Sequence, residues 1–301
     1  MGGCSLDYRF ALLTARASSV PIALLLTFAT MAGTAGVHPT PFKKQSISRL
    51  RASPAANAVL QETASPFGRS FQRFVTDGQS VVGAAVYDAL IKKWYTYHPE
   101  WRFDTASIVK VSIMGALLYD GRQPGQTLSE DSRELMTPMI EDSSNRAATT
   151  LWNTAGRADG ISSFLQKAGL THTAPGRDGF WGLTTTTAPD QAQMVRIFAY
   201  PNRLLDSAER TYGLVLMKNV VQWEDWGVSA GPGSSAAVAL KNGWLPLSPE
   251  NWEINSIGWV KGDGRNYVIA VLTRHNPTEM YGISTVQGIS RIVWRALGNK
   301  G

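Results

Sequence analysis

Phe103-Asp104-Thr105-Ala106-Ser107-Ile108-Val109-Lys110-Val111-Ser112-Ile113-Met114 is the stretch that decides the reading. Its apolar residues run on to Tyr119 and stop at Asp120-Gly121, so the pattern predicts a helix over 108–119. Ser107 opens that helix, and Lys110 lies three residues on, on the same face. A neutral amine there can take the hydroxyl proton as the serine attacks a carbonyl. Ile108, Val109 and Val111 supply the apolar surroundings that strip a lysine of its proton. An amide in the first helical turn is also left without a helical partner, which suits it to an oxyanion. The four-residue pattern is weak alone, although it occurs once in the chain.

Upstream, Ser80–Tyr87 and Lys92–Tyr97 carry the β-branched and aromatic residues of a hairpin, after a helix within Pro66–Thr76. Downstream the pattern is helical. Helices are predicted over Glu130–Glu141 behind Ser129, Arg146–Thr154, Gly160–Lys167 behind Asp159, Pro189 to about Phe198, and Asp206 to about Val220. Strands return at Ala236–Lys241, Glu253–Lys261 and Tyr267–Thr273, the last two joined by Gly262-Asp263-Gly264. A final helix is predicted over Ser284–Leu297. This order implies an α+β fold, an antiparallel sheet flanked by helices with an inserted all-helical subdomain.

Two further patterns follow the first. Ser143-Ser144-Asn145 precedes a helix, where Ser and Asn are also ordinary caps. Lys241-Asn242-Gly243 is expected at the end of a strand, where lysine can offer a cation and glycine allows close backbone approach. Each is weak, but S-x-x-K, S-x-N and K-x-G occur in that order on fitting elements. In this the chain resembles the class A β-lactamases and the related penicillin-binding peptidases. Val81–Tyr97 resembles their opening hairpin, and Thr184-Thr185-Thr186-Thr187-Ala188-Pro189 the threonine-rich end of their active-site loop. The likeness spans roughly residues 65–299.

The resemblance implies a β-lactamase/transpeptidase-like catalytic domain over 66–300, its α/β part at 66–105 and 190–300 and its helical part at 106–189. It implies that Ser107 is acylated, Lys110 is the base, and Ser143 passes a proton to the leaving nitrogen. Asn145 would hold the substrate's amide. Lys241, Asn242, Gly243 and Trp244 would bind substrate, with the Ser107 and Trp244 amides as oxyanion hole. The implied substrates are small-molecule or peptide acyl donors, β-lactams or D-Ala-type cell-wall peptides. No cofactor and no metal is implied.

Three departures matter. Asn242 stands where Thr or Ser is usual. Ser107 and Ser143 are closer in sequence than in typical class A enzymes. No glutamate occurs between Arg146 and Thr187, where those enzymes carry the one that activates the deacylating water. Asp178 is the nearest acidic candidate. Acylation without efficient deacylation is therefore expected. A non-catalytic or slowly acylated penicillin-binding module of the same fold is the alternative.

The remaining features bound the reading. Arg9 and Arg16, the apolar run Val20–Met31 and the small residues at 32–36 read as an export signal over 1–36, followed by a linker over 37–65. The protein is thus expected to be secreted or cell-wall associated, without stable membrane insertion, and a monomer. The single cysteine, Cys4, lies within the signal, so no cysteine chemistry is expected. Net charge is +6, which suits anionic surroundings, but no motif points to nucleic acid. The four histidines are scattered, which disfavours a metal site. Gly227-Val228-Ser229-Ala230-Gly231, followed by Asp263 and His275, matches a nucleophile elbow but lacks the strand and helix that must flank it.

Overall fold

The computed structural model describes residues 65–298, all within the unit Arg51–Gly301. The expectations for the export signal and nearly all of the linker lie outside the described residues.

Helix α1 (Arg69–Thr76) leads into β1 (Val81–Asp88) and β2 (Lys93–Tyr97), the expected hairpin. The short β3 (Phe103–Asp104) and a 3-10 turn (Ala106–Ile108) then feed α2 (Val109–Asp120). Helices α3 (Glu130–Glu141), α4 (Asn145–Thr154) and α5 (Arg157–Lys167) follow. A 3-10 turn (Trp181–Leu183) and β4 (Thr185–Thr186) precede α6 (Ala188–Ala199) and α7 (Ser207–Lys218). Two more 3-10 turns, Gln222–Glu224 and Gly227–Ala230, lead to β5 (Ala237–Ser248), β6 (Asn251–Gly262), β7 (Arg265–Asn276) and α8 (Glu279–Gly298).

The main sheet has the order β2-β1-β7-β6-β5 and is antiparallel throughout. Strand β1 pairs with β7, so the two ends of the described chain close one sheet and the helices between them form an insertion. The fold is the expected α+β arrangement.

Alternation along the strands explains why the sheet is buried on both faces. Ala85, Ala239, Ile257, Val268, Ala270 and Leu272 join the core beneath α2 to α7. Val82, Val86, Leu240, Ile254, Ile269 and Val271 face α1 and α8. Each Val, Leu or Ile among them contributes roughly 1.5–3 kcal/mol on burial.

Side-chain caps set several helix starts. Ser129 accepts from the Ser132 amide, Thr187 accepts from Asp190, and Asp206 with Glu209 forms a reciprocal capping box. Several boundaries differ; the last helix, for one, starts at Glu279 rather than Ser284. Helix α5 starts at Arg157, behind Gly156 at φ 81°, and Gly160 lies inside it rather than opening it. Strand β5 continues through Asn242 and Gly243 to Ser248, so the Lys-Asn-Gly sequence sits mid-strand, not at its end. Its pairing with β6, Lys241 opposite Ile257 and Gly243 opposite Asn255, overrides the local turn signal.

Candidate active site

Ser107 stands in the 3-10 turn just ahead of α2. Ala106 before it has φ 47°, a left-handed conformation costing an L-residue about 1–2 kcal/mol. The turn is held on three sides. The Thr105 amide donates to Thr184 O at 2.8 Å, and β3 pairs with β4, tying the threonine-rich segment to the nucleophile's approach. Asn255 Nδ2 donates to Asp104 O at 2.8 Å and Thr105 O at 3.3 Å. On the third side lies Gly243, where an added Cβ would sit 2.8 Å from the Ser107 nitrogen. Only glycine lets β5 press this closely on the turn.

Lys110 is fully buried, the second residue of α2 and one turn on from Ser107. Its Nζ lies 2.8 Å from Ser107 Oγ, 2.6 Å from Ser143 O, 3.0 Å from Ser143 Oγ and 2.9 Å from Asn145 Oδ1. Ser143 has φ 52°, and its hydroxyl and carbonyl oxygens both reach this amine. Asn145 is the first residue of α4. The sequence-predicted Ser107, Lys110, Ser143 and Asn145 thus meet at a single nitrogen. Four oxygens surround an amine with three protons at most. The contacts that can reverse are those to the Ser107 and Ser143 hydroxyls, either of which can donate when the amine is neutral.

Electrostatics favour that state. Burial holds the Lys110 pKa well below its ordinary value, with the nearby Lys241 charge pushing the same way and Glu224 opposing. The Trp181 ring lies 5.0 Å from Lys110 Nζ, and its indole N–H donates to Thr149 Oγ1 at 3.1 Å. The loop that lacks a glutamate therefore sets an aromatic ring beside the amine.

Lys241 and Asn242 depart from expectation. Lys241 Nζ lies 2.9 Å from Glu224 Oε2, and their side chains are 0% and 1% exposed. Asn242, expected to contact substrate, is instead buried, its amide donating to Glu224 O at 2.6 Å and Trp226 O at 3.1 Å. Alternation on the strand turns it away from the face carrying Lys241 and Gly243, so it pins the 222–226 segment instead. Trp244 is half-buried, 6.1 Å from the Trp226 ring. Asp178 is exposed in the turn Arg177–Phe180, with φ 55° beside Gly179 at 81°. That is turn geometry, and none of the four Lys110 partners above is a carboxylate. Ser229 lies in the 3-10 turn 227–230, with neither a strand before it nor a helix after it.

Residues 122–297 match the β-lactamase enzyme family. The chain belongs to that family. The matched region includes Ser143, Asn145 and Lys241 but begins after Ser107 and Lys110, so geometry carries the case for those two. Solved structures of similar fold include a class A β-lactamase from Bacteroides cellulosilyticus DSM 14838, with TM-score 0.67 and 17% identity over 80% of this chain and 98% of that one. The TLA-1 extended-spectrum β-lactamase gives TM-score 0.69 and 16% identity over 76% and 97%. A class A β-lactamase from Mycobacterium abscessus gives 0.66 and 23% over 76% and 98%. At these identities the likeness establishes the class A fold. Curated relatives from Mycobacterium tuberculosis and Mycobacterium bovis, each named "Putative lipoprotein LppW", are 27% identical over 178 residues, 56% of this chain. The chain spans about half the length of those relatives (54%).

Several residues that shape the site were not legible as such in sequence: Glu224, Asn255 and the pair Glu253–Asp104. Glu253 Oε2 accepts from the Asp104 amide, two residues before the Ser107 turn. Burial first, then the Asp104 charge, pushes the Glu253 pKa up to about 8, against the Asp104 hydrogen bond and Arg274. A carboxyl raised in the fold favours folding below its unfolded value near 4.5, and that contribution is lost as pH rises through about 8. Glu253→Gln keeps the accepting oxygen but cannot ionise. Its melting temperature is therefore expected to fall less than wild type's between pH 5 and 9. Parallel curves in thermal denaturation would contradict this assignment.

Proposed function

We propose that this protein is a serine hydrolase working through an acyl-Ser107 intermediate with Lys110 as general base. The observation that carries the reading is the 2.8 Å approach of a buried, proton-poor Lys110 amine to Ser107 Oγ. Attack on a carbonyl forms the Oγ–carbon bond as the hydroxyl proton passes to Nζ. The leaving group departs with a proton relayed through Ser143, whose hydroxyl lies 3.0 Å from the same nitrogen. The Ser107 and Trp244 amides would receive the oxyanion, an arrangement supported by the close approach of Gly243 to the Ser107 nitrogen.

Family and fold support β-lactams or D-Ala-type cell-wall peptides as the substrate class. Release of the acyl group is slow in this reading, because the loop places Trp181 rather than a carboxylate beside Lys110. A location outside the cytoplasm is supported by the charged start and apolar run of the sequence, and by the lipoprotein name of its relatives. The competing reading, a non-catalytic or slowly acylated penicillin-binding module of the same fold, is favoured by the missing loop glutamate and by Asn242 in place of Thr or Ser.

The test mixes purified protein with a fluorescent penicillin, a fluorophosphonate probe and a chromogenic cephalosporin. A persistent stoichiometric label, absent in Ser107→Ala, with little cephalosporin turnover is expected. Rapid multiple turnover would overturn slow deacylation. No label from any donor would overturn the enzyme.

A further inference from the structure

The turn between β1 and β2 carries residues that its own geometry does not call for. It covers residues 89–92. Its base is tied down, the Ala89 amide donating to Asn266 O at 2.9 Å and the Leu90 amide to Asp88 Oδ1 at 3.0 Å. Turns favour Gly, Asn, Asp, Pro and Ser. Here the two central positions are Leu90 and Ile91, 54% and 50% exposed. Lys92, Lys93 and Trp94 follow, all exposed. Lys92 has φ 55°, a left-handed position where glycine is the ordinary choice. Five consecutive side chains, three apolar and two cationic, therefore stand in solvent at one hairpin tip.

The tip is braced from behind. The Trp94 ring packs on Tyr87 at 5.0 Å, and Tyr87 on Tyr200 at 5.9 Å. Positive charge continues around it. Arg203, exposed, follows Tyr200 by three residues. Lys261, also exposed, pairs with Asn266, the residue whose carbonyl holds the Ala89 amide. Asp263, an exposed carboxylate at the same end, already accepts from Ser235 Oγ at 2.8 and 2.9 Å. Lysines on an edge strand are ordinary, because they keep it from pairing with another chain. That does not explain an aliphatic pair at the tip. A soluble polyanion would need the cations and leave Leu90 and Ile91 without a role. Aliphatics at the apex, a tryptophan behind them and lysines alongside fit the boundary of an anionic bilayer. There apolar side chains reach the acyl region, tryptophan rests at headgroup level and lysine meets phosphate.

We propose that the β1–β2 turn is a docking tip for an anionic lipid surface, with Leu90 and Ile91 entering the interface and Lys92 and Lys93 meeting lipid phosphates. The contact is peripheral and reversible, since two aliphatic side chains fall far short of a spanning segment. It does not depend on the acyl-serine reading and lies apart from the Ser107 site. Tyr267 pairs with Asp88 at the tip, whereas Leu272 pairs with Asn255, which lies opposite Gly243. From Tyr267 to Leu272 is about 17 Å along β7.

The test sediments the protein with vesicles of phosphatidylcholine alone, or mixed in about equal parts with phosphatidylglycerol, at low and high salt. Wild type is expected to prefer the mixed vesicles, and salt to weaken that binding. Leu90→Ser/Ile91→Ser and Lys92→Gln/Lys93→Gln are each expected to lose about tenfold in affinity for the mixed vesicles, with melting temperature unchanged. All forms share one N-terminal segment, so the difference between them isolates the tip. Should one pair fail to fold, the other decides. No vesicle binding, or equal binding by wild type and variants, overturns the proposal. Binding that Leu90→Ser/Ile91→Ser retains and soluble polyphosphate competes away assigns the cations to a polymer and overturns it as well. A dimer in solution that Leu90→Ser/Ile91→Ser dissociates, without vesicle binding, assigns the tip to a second copy and does the same.

Discussion

Lys110→Met is expected to slow acylation of Ser107 by about 10²–10⁴-fold, the usual contribution of a positioned general base. Methionine keeps the length and apolar stem and removes only the amine that touches Ser107, Ser143 and Asn145. Lys110→Arg should fail as badly, because guanidinium stays protonated at every accessible pH. The wild-type rate has a predicted shape. Burial lowers the Lys110 pKa, so the neutral, active amine appears as pH rises and the rate levels off well below 10.5. Both variants should lose that rise. Single-turnover acylation with a neutral ester from pH 5 to 9 checks this, with circular dichroism to confirm the fold. A Met variant that acylates at near the wild-type rate would remove Lys110 from the mechanism.

Gly243→Ala is expected to cost on the order of 10²-fold in acylation, the scale of a misplacement of about 1 Å in a reacting group. The added methyl would lie 2.7 Å from Thr105 O, 2.8 Å from the Ser107 nitrogen and 3.0 Å from the Ile108 nitrogen. All three are backbone atoms, so no side chain can swing aside. Either β5 or the nucleophile's turn must move, at roughly 1–3 kcal/mol of overpacking. Gly233→Ala is the control, since its nearest neighbours would be 3.8 and 3.9 Å away. Acylation rate and melting temperature should both fall for the first and neither for the second. An unimpaired Gly243→Ala variant would mean that β5 does not set the position of Ser107.

Much of this was legible in the chain. Ser129, Thr187 and Asp206 announce their helices because capping is local chemistry. The pairing of Ser107 with Lys110 follows from helical periodicity, and their meeting with Ser143 and Asn145 was implied by the family resemblance that the ordered motifs carry. What escaped is tertiary in origin. The Lys-Asn-Gly sequence reads as the end of a strand, and only pairing with β6 keeps it extended to Ser248. Glu224 sits in Trp223-Glu224-Asp225-Trp226, a stretch with no motif that marks its carboxylate. Its burial against Lys241 becomes visible only once the turn is folded over β5. Asn242 could not be assigned a face without the extent of its strand. The role of Trp181 depends on the loop laying one ring beside a particular amine.

The most direct test of the account is to map the covalent adduct on wild type after a neutral activated ester or a fluorophosphonate has reacted and been quenched. Peptide mass spectrometry is predicted to place one adduct on the peptide containing Ser107, absent from Ser107→Ala and strongly reduced in Lys110→Met. An adduct elsewhere, such as on Ser229, or none at all, would contradict it.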